Sequence, residues 1–165
     1  MEPRLDYMQV LPEGMRFVNA LEGYAGRCGL EPLLLELVKL RASQLNGCAY
    51  CVDMHSKDAR THGETEQRLY GLSVWRDAPY YTPRERAALA LTEAVTLVSR
   101  GPVPDDVYAE AQQHFTSEEL VKLMVAIAVI NTWNRFAITF HDVPGSYEPG
   151  HFACRPASAA GQPVA

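Results

Sequence analysis

Apolar residues recur along this chain at the three-and-four spacing of a helix, and no segment shows a convincing strand alternation. Met15, Val18, Leu21 and Ala25 follow that spacing between Glu13 and Cys28, and Gly29 ends the segment. A second periodic segment runs from Glu31 to Leu45 and stops at Asn46-Gly47; a third runs from Cys48 to His62 and stops at Gly63. Glu64 to Tyr70 predicts a short helix, Gly71 to Tyr81 an irregular stretch, and Met1 to Pro12 an extended lead-in.

The second half is punctuated more sharply. Thr82-Pro83-Arg84-Glu85 is a capping box with proline at the first helical position. The helix it opens is expected to bury Ala87, Ala88, Leu91, Ala94, Val95 and Val98 and to end before Gly101-Pro102. Asp105 to His114 reads as a further short helix. A second capping box, Thr116-Ser117-Glu118-Glu119, opens a long helix to about Phe140. Its Leu123–Ile130 section is apolar all round, which predicts a central position. Val143-Pro144-Gly145 then turns the chain out, and from His151 the text is rich in Ala, Ser, Pro and Gly, as in a disordered tail. The expectation is an all-α fold with one domain over residues 1–150 and a tail over 151–165.

At 165 residues the chain is long enough for a core that needs no covalent staples. Fifteen Lys and Arg against twenty Asp and Glu give a net charge of −5, which argues against nucleic acid or an anionic membrane as partner. The N-terminus lacks the apolar region of a signal peptide, and the Leu123–Ile130 run is too short to span a bilayer, so a cytoplasmic location is expected. In a reducing compartment four cysteines do not make a structural framework, and a CxxC pair there points to redox or metal chemistry.

That pair is Cys48 and Cys51, inside ELVKLRASQLNGCAYCVDMH, residues 36 to 55. At about 100° per residue, Cys48, Cys51, Val52, His55, Ala59 and His62 share roughly a third of a helix circumference. The cysteines are i,i+3 neighbours, close enough for a disulfide after modest adjustment. Cys51 and His55 are i,i+4, so the imidazole can reach the sulfur directly or through one water, while Tyr50 points away. A thiol at a helix start beside a histidine has its pKa lowered by free N–H groups, the helix dipole and the imidazolium. If the helices on either side of Gly47 fold back on each other, Glu36 can reach His55 and orient or charge it.

The same residues have other readings. A CxxC pair can hold zinc with His55 and a fourth ligand such as His62 or Glu36, although no second CxxC or HxxxH is present. Haem attachment is excluded because Val52 follows the second cysteine. His62 is expected to cap a helix end, Cys28 to be a small buried hydrophobe, Cys154 a spare tail thiol, and His114 and His141 structural. Trp75 and Trp133 read as core or interface fillers. Asn131, Asn134 and Arg135 are expected to satisfy helix ends or subunit contacts.

Glu36, eleven residues, Cys48-x-x-Cys51, three residues, His55 resembles the active-site signature of AhpD-like alkylhydroperoxidases in the carboxymuconolactone decarboxylase superfamily. KLRASQLNGCAYCVDMHSKDAR and NTWNRFAITFHDVPGSY are also similar to its small single-domain members, over most of residues 10–148. The resemblance implies an all-helical fold, homo-oligomers (commonly trimers or hexamers), and peroxide reduction with neither bound cofactor nor metal. It implies Cys51 as the peroxidatic cysteine, Cys48 as the resolving one, and His55 with Glu36 as the proton relay. The implied partners are a small hydroperoxide and a dithiol reductant, which in AhpD is a lipoylated carrier protein. AhpD carries a histidine between the cysteines where this chain has Tyr50. Two alternatives are a redox sensor whose dithiol switches without turnover, and a lactone decarboxylase, which the CxxC pair disfavours.

Overall fold

The computed structural model describes residues 2–150, so the expected tail and Cys154 lie outside the described residues. Among the described residues, eight α-helices follow in order: α1 (Tyr7–Val10), α2 (Pro12–Ala25), α3 (Pro32–Asn46), α4 (Ala49–Thr61), α5 (Glu66–Gly71), α6 (Pro83–Thr96), α7 (Asp105–His114) and α8 (Ser117–Phe140). Single 3₁₀ turns follow α5 at Leu72–Val74 and α6 at Val98–Arg100, and no strand occurs among the described residues.

The architecture is organised by α3 and α8. Helix α3 packs against α4, α6 and α8, and α8 also meets α2, α4, α6 and α7. Buried residues occur around the whole circumference of α3, from Leu34 to Ser43, as a helix enclosed on all sides requires. One core cluster joins Leu34, Leu35 and Val38 of α3 to Ala87, Ala88 and Leu91 of α6 and to Leu123, Ala126 and Ile127 of α8. On the opposite flank of α3, Leu37 and Leu40 pack with Leu72, Trp75, Tyr81 and Leu89. A third cluster holds Ala42, Cys48, Cys51, Ile130 and Ala137 together.

By length and hydropathy alone, the 24 residues of α8 are enough to cross a bilayer. Here they form the core helix instead. Its buried Asn134 donates to Ser43 Oγ at 3.0 Å, and its N-terminus is closed by the predicted capping box at Thr116 and Glu119. The box at Thr82 and Glu85 is likewise closed in both directions.

Two expectations are corrected. Residues 1–12 are not simply extended: Asp6 caps α1 by accepting from Gln9 N–H at 3.1 Å, and Pro12 opens α2 rather than closing a lead-in. Tyr7 stands 5.1 Å and 5.3 Å from the rings of Phe136 and Phe140, an aromatic anchor that four residues of periodicity cannot reveal. Val98 is exposed rather than buried, because α6 ends at Thr96 and the 3₁₀ turn rotates it outward; Leu89 and Thr92 take up the core positions. Leu21 is exposed too, along with Phe17 and Tyr24 on the outer face of α2.

Candidate redox site

The site begins with a glycine. Gly47 follows α3 at φ 72° and ψ 30°, a left-handed conformation that glycine adopts without a Cβ penalty. Cys48 N–H donates to Ser43 O at 3.0 Å, closing the α3 terminus. Cys48 is then already the N-cap of α4, its sulfur accepting from Cys51 N–H at 3.3 Å. With so short a connection, α4 doubles back along α3.

That return brings together the four residues the spacing singled out, as two pairs. Cys48 and Cys51 are disulfide-bonded, with Cα atoms 5.4 Å apart. Both are buried against Ile130 and Ala137 of α8. One turn further along α4, His55 Nδ1 lies 2.8 Å from Glu36 Oε2 of α3, and both side chains are buried. This hydrogen bond engages Nδ1 and leaves Nε2 for proton exchange. Burial pushes the Glu36 carboxyl up, but the hydrogen bond and charge of His55, with Lys39 and His62 behind them, outweigh it and hold the acid below its ordinary range.

Several charged neighbours escaped the sequence reading. Asp58 is three residues past His55 on α4, and Asp58, Glu36 and His55 each place a donor atom within 4.8 Å of the others. Burial raises the Asp58 carboxyl, its hydrogen bond from Tyr147 works the other way, and the like charge of Glu36 raises it further; the net shift is upward. Tyr147 Oη reaches Asp58 Oδ1 at 2.7 Å and Oδ2 at 3.0 Å. Lys39 is buried and pairs with Glu22 of α2; burial would lower its pKa, but Glu22 and Glu36 outweigh that and keep it charged. The i+3 spacing of Asp58 from His55, and of Lys39 from Glu36, was a usable signal. Tyr147 ends the stretch NTWNRFAITFHDVPGSY, but no spacing rule places it against Asp58, 89 residues away.

Tyr147 belongs to the segment after α8, residues 141–150, which is buckled onto α4. Lys57 Nζ donates to Tyr147 O at 2.9 Å, and Gly145 N–H donates to Asp53 Oδ2 at 3.0 Å. Tyr50 is only half out of the way: it packs against the cysteine cluster from its edge, together with Trp133. Asn131 and Asn134 both accept from the side-chain amide of Asn46, the last residue of α3. His62 is the C-cap residue of α4, and Cys28 is a buried free thiol in the main core.

Among the described residues, the candidate metal ligands are Glu36, His55 and Asp58, and this set includes neither cysteine of the zinc reading. The donors are already engaged, Glu36 with His55 and Asp58 with Tyr147, while the Lys39 ammonium acts on both acids. The arrangement suits proton traffic beside a dithiol better than a cation.

The chain is similar to several known proteins in sequence and in fold. The model of the carboxymuconolactone decarboxylase family matches residues 12–94, half of the chain. The uncharacterized protein YdfG of Bacillus subtilis is 44% identical over 138 residues, covering 84% of this chain and 94% of its own. A crystal structure from Agrobacterium tumefaciens superimposes with a TM-score of 0.85 at 46% identity, covering 87% of this chain and 98% of the other. That protein is of unknown function and a candidate AhpD of antioxidant defence. Alkyl hydroperoxide reductase AhpD of Hyphomonas neptunium is 39% identical over 44 residues, 27% of this chain and 24% of its own.

Proposed function

We propose, from the premise that this chain belongs to the carboxymuconolactone decarboxylase family and has its AhpD-like helical fold, that it is a thiol-dependent hydroperoxide reductase. The observation that carries the reading is the disulfide-bonded Cys48–Cys51 pair one helical turn from a buried imidazole–carboxylate pair 2.8 Å long. A lactone decarboxylase has no use for the dithiol, and a structural disulfide has no use for the buried acid and base.

In the reduced protein His55, held by Glu36, takes the Cys51 proton and stabilises the thiolate. The thiolate attacks the terminal oxygen of a hydroperoxide. The S–O bond forms, the O–O bond breaks, and the alkoxide leaves with the proton returned from His55. Cys51 is now a sulfenic acid. The Cys48 thiol attacks that sulfur, water leaves, and the disulfide seen here results. A dithiol reductant then exchanges with the disulfide, restoring both thiols and leaving itself oxidised. A lipoylated carrier protein is the reductant class that the AhpD-like relationship suggests. A homo-oligomer belongs to the same proposal, with the exposed Phe17, Leu21 and Tyr24 of α2 and Val121 and Met124 of α8 as surface available to it.

The test is consumption of tert-butyl hydroperoxide with dihydrolipoamide, for wild type, Cys51→Ser and Cys48→Ser. Wild type is expected to turn over and both variants to stop. Cys48→Ser alone should still give one equivalent of alcohol product. A wild type that cycles between dithiol and disulfide without turnover would make the protein a redox sensor, and turnover indifferent to both cysteines would sink the proposal.

A further inference from the structure

The reduction chemistry above uses Glu36 and His55 and leaves Asp58 without a task. Asp58 nevertheless completes a three-membered cluster with them, each residue offering an atom within 4.8 Å of the other two. Its two oxygens are both engaged by Tyr147 Oη, at 2.7 and 3.0 Å, and Tyr147 is itself buried. A staple between the final segment and α4 is the plain explanation for such a bond. Asp53 and Lys57 already supply that staple, through Gly145 N–H and Tyr147 O. The Asp58 bond adds something the other two do not: a second carboxylate facing the imidazole.

Among the described residues, the groups that act on this carboxylate come from three elements. From α3 it is faced by Glu36 and Lys39; from α4 by His55 and Tyr50; and from the final segment by Tyr147. Behind these, Glu22 of α2 offsets Lys39, His62 acts on Glu36, and Asp142 acts on Tyr50. With Lys39 paired to Glu22, two carboxylates, Glu36 and Asp58, face one imidazole.

We infer that Asp58 is a positioning residue for hydroperoxide reduction, held by Tyr147 against the His55–Glu36 pair so that its carboxylate adds to the field in which His55 serves the Cys51 sulfur. This rests on the reading proposed above and deepens it.

The test is the pH dependence of Cys51 alkylation by iodoacetamide in the reduced full-length chain carrying Cys48→Ser, followed on the peptide that contains Cys51. Asp58→Asn is expected to move the profile to higher pH and slow alkylation at pH 7 by roughly 3- to 10-fold, the size of a modest loss of a nearby charge. Tyr147→Phe should move it in the same direction by less, and Asp58→Glu should recover most of the rate. His55→Asn is run in parallel and should move the profile furthest. If His55→Asn shifts the profile while Asp58→Asn and Tyr147→Phe leave it in place or move it down, Asp58 has no positioning role and the reductase reading stands. If His55→Asn leaves it in place as well, both fall. Should Asp58→Asn not fold, Tyr147→Phe decides by itself, since it keeps the aromatic ring and deletes only the hydroxyl.

Discussion

Asn46 Nδ2 donates to the side-chain oxygens of both Asn131, at 2.9 Å, and Asn134, at 2.8 Å. A single amide at the end of α3 thus spends both of its protons on α8. Asn134 in turn donates to Ser43 Oγ at 3.0 Å, and Asn131 donates to Thr96 Oγ1 at 3.0 Å and to Ile127 O at 2.9 Å. The turn that launches Cys48 is therefore tied to α8 and, through Asn131, to α6. This network sets the place from which α4 starts back toward Glu36.

Asn134→Ala should be costly for that reason. Asn134 is wholly inaccessible, and its loss takes a partner from the buried Ser43 Oγ and from one proton of the half-buried Asn46 amide. Stranded buried polar groups of this kind cost about 1–3 kcal/mol. Urea unfolding should show a lower midpoint with an unchanged slope; a shift below about 0.5 kcal/mol would mean the network guides geometry without stabilising it.

Gly47→Ala tests the turn itself. An added Cβ would meet nothing within 4 Å, so no steric clash contributes. What remains is the left-handed backbone, φ 72°, which costs an L-residue about 1–2 kcal/mol. Gly47→Asn should cost less than Gly47→Ala, because asparagine tolerates this region better. Equal losses in thermal unfolding would show that the turn relaxes away from the left-handed region.

The periodicity of the chain made the helices legible because each carries its own stop: Gly47 and Gly63 close α3 and α4, and Thr82 and Thr116 open α6 and α8. The Cys48–Cys51 and Glu36–His55 pairs were legible for a related reason, since a glycine turn between adjacent helices leaves little choice in which faces meet. Tyr147 and Glu22 were not. Each reaches the site from an element distant in sequence, and only packing decides which polar residue of such an element arrives there. Val98 was misjudged because helical spacing shows a stripe without showing where the helix stops.

Acid should weaken the capping box of α8 in a defined window. The Glu119 carboxyl is held down at about 2, chiefly by the Thr116 backbone N–H, 2.8 Å from Oε2, and then by Arg84, 2.7 Å from Oε1. A carboxyl with a depressed folded-state pKa stabilises the fold above its ordinary value and loses that contribution as pH falls through the lowered one. The advantage of wild type over Glu119→Gln should therefore be full at pH 6 and shrink between about 4.5 and 2. The side chain is partly exposed and screened by solvent, so the difference at pH 6 is set at about 0.5–1 kcal/mol, the scale of a cap. Thermal unfolding at pH 6 and pH 2.5 measures it; a gap that stays constant would show that the neutral acid caps as well as the anion.

The Lys39–Glu22 pair allows a sharper test, because its two members should not be equivalent. Lys39 is buried while the Glu22 side chain keeps 30% of its surface. Removing Glu22 strands a charge inside the protein; removing Lys39 strands one that water can reach. Glu22→Gln should destabilise by about 1–3 kcal/mol, below the full value for a sealed pair, whereas Lys39→Met keeps the apolar stem and should cost under about 1 kcal/mol. The double variant should resemble Lys39→Met alone, since no buried cation is left to strand. The pKa of Lys39 is raised, so this contribution is fully present below the ordinary lysine value and declines only as pH rises through the folded one. The ordering should accordingly hold unchanged from pH 6 to pH 9. If urea unfolding instead finds Lys39→Met the more damaging of the two, the lysine contributes more by its charge near Glu36 than it costs by being buried.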